Sequence, residues 1–172
     1  MATTSIYQPE TIEWTPSRWR PITTFVLSLA AFCISAYLTY LHYWGNSAPA
    51  LCARGGAINC TKVLTSSQSM IFGAIPVAVV GLCFYAFVTV INSPPMWRSK
   101  WRLMPLARTL TMTAAVAMVL YLVAAELIWI KAICEYCTAV HVLTLAIFFI
   151  VITGWNDMQA HYAAAMAGRE AA

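Results

Sequence analysis

Long apolar blocks separated by short polar interruptions make up this chain, and their lengths set its class. Hydrophobic residues run almost unbroken over Ile22–Trp44, Met70–Ile91, Leu110–Ile130 and Cys134–Trp155. Each block covers about 20 residues, which at a helical rise of ~1.5 Å spans a ~30 Å hydrocarbon layer. The pattern predicts four transmembrane helices. What remains outside them leaves no room for a second folded domain, and no internal repeat is evident. The expectation is an all-α polytopic membrane protein: a four-helix bundle over residues 21–156, a loose N-terminal tail over 1–20 with Pro9 and Pro16, and a C-terminal tail over 157–172.

Composition fits this class. Apolar types make up 61% of the chain and charged residues only 9%, against roughly 25% charged in soluble domains; the mean hydropathy is +0.72. The net charge of +4 does not point to nucleic acid, because the basic residues stand singly or gather at block ends, where they report topology. Arg18, Arg20, Arg98, Lys100, Arg102, Arg108 and Arg169 fall on one side of a four-span layout, and Arg54, Lys62 and Lys131 on the other. The positive-inside rule then puts both termini in the cytoplasm and predicts a multi-pass protein of the inner (plasma) membrane. Ala48-Pro-Ala50 resembles a signal cleavage site, but the first block exceeds the ~7–15 residues of a signal h-region and reads as a retained anchor.

The longest interruption, Gly45–Ser69, is then extracytoplasmic and has room for a short interfacial helix. Pro94-Pro95 breaks the loop between the second and third blocks on the cytoplasmic side. Only Lys131, Ala132 and Ile133 separate the last two blocks, which places Cys134 at a helix start on the outer side.

Six cysteines divide by depth. Cys33 and Cys83 fall within apolar blocks and read as packing residues. Cys52, Cys60, Cys134 and Cys137 all fall on the outer side. Cys134-Glu-Tyr-Cys137 is a C-x-x-C in the first turn of a helix, where exposed N–H groups and the helix dipole favour a thiolate, the form that attacks in disulfide exchange. Cys52 and Cys60 flank Gly55 and Gly56, which let the loop fold back. Four such cysteines allow three pairings, so static disulfides and an exchanging relay both stand open. On a helix, Cys134, Cys137 and His141 fall within about 60° of one another. A histidine at that depth needs a hydrogen-bonded neighbour or a ligand. Thr138 shares this face and by default bonds its own backbone. Glu126, near the outer end of the third block, reads as a solvated or structurally paired carboxylate in preference to a proton relay. Asn59-Cys60-Thr61 formally matches a glycosylation sequon, a weak match that would block Cys60 and is set aside.

Taken together, Cys52-Ala-Arg54, Cys60-Thr-Lys-Val-Leu-Thr-Ser66, Phe72-Gly73, Gly81-Leu-Cys-Phe-Tyr85 and Cys134-Glu-Tyr-Cys137 resemble the vitamin K epoxide reductase family, including its bacterial disulfide-forming members. The resemblance implies a four-helix bundle with a loop cysteine pair above a membrane C-x-x-C and a quinone pocket. It implies that Cys52 takes electrons from a separate thioredoxin-fold thiol oxidase, that Cys60 attacks Cys134, and that Cys137 faces the quinone. Ser66 matches the family's loop hydroxyl and Phe72 an aromatic of the pocket wall. His141 stands where vertebrate members carry a tyrosine, which favours reduction of a quinone, menaquinone or ubiquinone, over reduction of an epoxide. No metal is expected. Periplasmic oxidases have potentials near about −120 mV, so the terminal acceptor must lie higher, and a quinone fits. Some relatives carry a fused thioredoxin domain; the short stretch after Trp155 suggests a separate partner here. Two other readings remain, a structural tetraspan protein with permanent disulfides and a soft-metal-binding membrane protein.

Overall fold

The computed structural model describes residues 14–44, 58–71, 73–99, 101 and 103–170. Its first helix, α1 (Trp19–Trp44), buries small and polar residues and exposes large apolar ones: Thr24, Ser28, Ala31 and Ser35 face inward, while Ile22, Val26, Leu29 and Tyr40 are exposed. In water this distribution would be inverted. In lipid it is the stable one, because the tails accept apolar side chains and small residues let helix backbones approach. The inward hydroxyls are satisfied within the helix, Thr24 Oγ1 donating to the Arg20 carbonyl at 2.8 Å and Ser28 Oγ to the Phe25 carbonyl at 2.9 Å. Close approach is visible at Gly81, where an added Cβ would lie 3.6 Å from Ser35 Oγ.

The second apolar block departs from expectation. Met70–Ile71 (β1) and Ile75–Pro76 (β2) pair antiparallel, turning at Gly73, whose φ of +69° suits glycine. Only Val77–Ile91 (α3) is helical, and its 15 residues reach ~22 Å at 1.5 Å each. Among the described residues, three helical stretches are long and apolar enough to cross a membrane: Trp19–Trp44, Met104–Ile130 and Glu135–Gly168. The protein is therefore an all-α, multi-pass membrane protein in which α3 is shorter than the sequence pattern predicted.

After a short helix α4 (Pro94–Trp97), α5 (Met104–Ala124) runs into a π-helical turn, Ala125–Ile130, closed by Lys131 in the left-handed region at φ 51°. The last helix, α6 (Glu135–Glu170), has 36 residues, or ~54 Å. The segment expected as a tail over 157–172 thus continues α6 as far as Glu170.

Helix α1 packs along α3 and α6, and α5 along α6, whereas α3 and α5 touch sparingly. That gap becomes a cavity. Opposite it, one end of the bundle is closed by Trp97, whose Nε1 donates to Thr24 Oγ1 at 3.2 Å, and by Arg108, whose guanidinium lies 4.0 Å from the Trp97 ring centroid. Arg108 reads in the sequence as a topology charge, yet it is buried and donates to the Ile91 carbonyl at 2.9 and 3.3 Å. An Arg20–Asp157 ion pair joins the start of α1 to α6 at the same end.

Candidate redox site

At the other end, Ile58 forms a parallel bridge with Ile133. The Asn59 N–H donates to the Ile133 carbonyl at 3.0 Å, and the Asn59 side-chain oxygen accepts the Lys62 N–H at 2.9 Å. The second bond caps a short helix, α2 (Cys60–Leu64). The sequon asparagine is thus a helix cap, and its neighbour Cys60 is carried against the segment that leads into the C-x-x-C.

Cys60, Val63, Ile130, Ala132 and Cys134 form one buried cluster, with Cys137 packed against it. Cys60 is 1% exposed and Cys134 0%. Cys60 is disulfide-bonded, whereas Cys134 and Cys137 are free. Cys52, Gly55, Gly56 and Phe72 lie outside the described residues.

Cys134 occupies the N-cap position of α6. Its sulfur accepts the Cys137 backbone N–H at 3.3 Å, and its carbonyl accepts the Thr138 N–H at 2.9 Å and the Thr138 hydroxyl at 3.0 Å. A cap normally uses a side-chain oxygen for this bond; here a sulfur fills that place. The Cys137 thiol and then the Cys137 backbone N–H hold the Cys134 thiol below its ordinary value, against burial and the nearby Glu126, which push it up.

Beside this pair a cavity of about 410 Å³ fills the gap between α3 and α5. Val77, Val80 and Phe84 form one wall and Ala115, Met118 and Val119 the other. Cys137, His141, Ser66, Gln68 and Glu126 bring polar groups to it. Ser66 donates its hydroxyl to the Val63 carbonyl at 2.8 Å, which ties the end of α2 to the cavity rim. His141 is buried, 7% exposed, and turns toward the cavity. Cys33 and Cys83 are exposed on the outside of the bundle and do not line it, so they face lipid rather than packing between helices. An apolar hollow of this size, with a few polar groups at one end, matches the usual form of a small-molecule site.

The vitamin K epoxide reductase family profile matches residues 22–152, from the start of α1 into α6. The chain belongs to the vitamin K epoxide reductase family. No individually curated protein matches it. As a member of the vitamin K epoxide reductase family it is a membrane oxidoreductase whose cysteines suit thiol–disulfide chemistry. Of the site residues that the resemblance implied, Cys60, Cys134, Cys137, Ser66 and His141 are gathered at one end of the bundle.

Two members of this site were not assigned to it from the sequence. Glu126 is not solvated: it is 6% exposed and lines the cavity. The available signal was an ionisable residue inside an apolar block, which marks function by default. Tyr85, within a motif that carried the resemblance, lines the cavity and shares a hydrogen bond with Thr144. No local pattern in the sequence specifies that pairing, since 59 residues separate the partners.

Proposed function

We propose that this protein reoxidises a separate extracytoplasmic thioredoxin-fold thiol oxidase and passes the electrons through two cysteine pairs to a membrane quinone, supporting disulfide formation. One observation carries the reading: Cys60 and Cys134 share a buried cluster, while Cys137, one helical turn on, opens into an apolar cavity.

In this scheme the reduced partner attacks a Cys52–Cys60 disulfide and leaves both as thiols. The Cys60 thiolate attacks Cys134 of an oxidised C-x-x-C, breaking its S–S bond and releasing Cys137. Cys52 then attacks Cys60, restoring the loop disulfide and leaving the Cys134–Cys137 dithiol. The dithiol finally yields two electrons and two protons to the quinone. The residues fit such an acceptor: aliphatic and aromatic walls suit a ring with an isoprenoid tail, and His141 and Ser66 bring polar atoms to where a carbonyl would lie.

The same cluster supports a fourth crossing by α3. Cys60 lies before α3 and Cys134 after α5, yet both sit at one end of the bundle. The intervening chain must cross an even number of times, so α3 and α5 both traverse. With basic residues concentrated at the Trp97–Arg108 end, that end is cytoplasmic and the cysteine end extracytoplasmic in a plasma (inner) membrane. Residues 21–156 form the redox domain on this reading, with 1–20 and 157–172 on the cytoplasmic side.

The test combines purified protein, a reduced thioredoxin-fold oxidase and a soluble quinone analogue, and follows hydroquinone by absorbance. Cys137→Ser abolishes turnover. Cys52→Ser cripples the protein-driven reaction but retains activity with a small dithiol; equal loss with both donors refutes the order of the relay. His141→Ala raises the KM for quinone about tenfold, the loss of one hydrogen bond of about 1.5 kcal/mol.

A further inference from the structure

Resting on the quinone-reductase reading above, we propose that the Glu126 carboxyl is the proton carrier between the Cys134–Cys137 dithiol and the quinone. The proposal begins with placement. Glu126 lies in the π-helical turn Ala125–Ile130, a local widening of the helix that often marks functional positions. Its backbone is pinned, because its carbonyl accepts the Ala132 N–H at 3.2 Å. Its side chain is 6% exposed and lines the cavity together with Cys137, near enough to both cysteines of the pair for its charge to act on them.

The other titratable groups on the cavity wall are His42 from α1, Tyr85 from α3, and Cys137 and His141 from α6; none of the described residues lining it is lysine or arginine. A carboxylate and a thiolate held in one apolar hollow without a cation repel each other strongly. A proton is therefore shared between them and changes place when the sulfurs change redox state. Tyr85 is less suited to this task, since its hydroxyl is engaged with Thr144.

The reaction needs such a carrier. Oxidising the dithiol breaks two S–H bonds, forms one S–S bond and releases two electrons and two protons. The quinone accepts two electrons and two protons as its two carbonyl oxygens become hydroxyls. Electrons pass from sulfur to ring, but protons need a titrating group where water is scarce. In the dithiol state Glu126 holds one of the two protons and one sulfur is a thiolate; the carboxyl yields its proton to a quinone oxygen, takes the second from the remaining thiol and yields that in turn, and is a carboxylate once the disulfide has formed.

Infrared difference spectra of the full-length protein, taken between its dithiol and disulfide states with diamide as the oxidant, read this carboxyl without any quinone. The expected result is a carboxyl C=O band that changes with redox state and is absent from Glu126→Gln. A wild-type spectrum without such a change overturns the proposal, even if the variant fails to fold. With a soluble quinone analogue, Glu126→Gln lowers the rate of dithiol oxidation about a hundredfold, and Glu126→Asp recovers part of it. An unchanged rate in the glutamine variant also overturns the proposal. Should wild-type protein reduce no quinone at all, the function proposed above fails separately, because the infrared band reports on Glu126 alone.

Discussion

The chemistry of a single residue, Cys134, shows how a helix end prepares a sulfur for exchange. Its sulfur replaces the usual oxygen of an N-cap and receives the Cys137 N–H, and the Cys137 thiol is the largest influence holding its own thiol down. A lowered thiol keeps its thiolate to lower pH than the ~8.5 of a free cysteine. Reactivity is then present above the lowered value and is lost as pH falls through it. Site-resolved alkylation by a small reagent, followed by mass spectrometry across a pH series, measures this midpoint. It is expected to be higher in Cys137→Ala than in Cys137→Ser, because a hydroxyl still donates to the Cys134 sulfur and a methyl does not. Equal midpoints would assign the effect to the helix terminus and its backbone N–H groups alone.

Among the elements, α2 is one that cannot stand by itself. Five residues cannot form an isolated helix, since nucleation costs more than one turn returns. It persists because Asn59 caps it, the Asn59 N–H is held by Ile133, and Cys60 and Val63 are buried against Ile130 and Ala132. Loss of the cap in Asn59→Ala costs about 1 kcal/mol. In a Cys52→Ser, Cys137→Ser background, where Cys60 and Cys134 remain to cross-link, this change is expected to reduce the equilibrium yield of that bond about fivefold. Asn59→Asp, which keeps an accepting oxygen, is expected to preserve it; non-reducing mass spectrometry distinguishes the two. A full yield from the alanine variant would show that the bridge to Ile133 positions α2 unaided.

At the scale of the whole molecule the two ends of the bundle do different work. The end closed by Trp97, Arg108, Thr24 and the Arg20–Asp157 pair is tied by directional contacts, while the cysteine end keeps its cavity. Arg108→Leu removes the guanidinium from the Trp97 face and leaves the buried Ile91 carbonyl unpaired, which costs about 1–3 kcal/mol. The expected outcome is a lower unfolding temperature in detergent with near wild-type dithiol oxidation below it. Redox loss at temperatures where the variant remains folded would couple the two ends. Crossing by α3 is checked by single cysteines placed at Ser99 and Lys62, which bracket it, in a background free of other reactive thiols. An impermeant reagent is expected to reach only the second from outside the cell.

Apolar block lengths were enough to determine an all-α membrane protein, because hydrocarbon demands long helices with internally satisfied backbones and admits few charges. The spacing of Cys134, Cys137 and His141 likewise determined that they share a face, because helix geometry is local. Where α3 begins was not legible in the same way: an apolar run does not distinguish the Met70–Pro76 hairpin from helix, and that division rests on strand pairing and the turn at Gly73. The burial of Glu126, the burial of Arg108 against Trp97 and the meeting of Cys60 with Cys134 were decided only by tertiary structure. Each depends on which helices pack together and where a gap is left between them, and those contacts join residues far apart in the chain, beyond the reach of any local pattern.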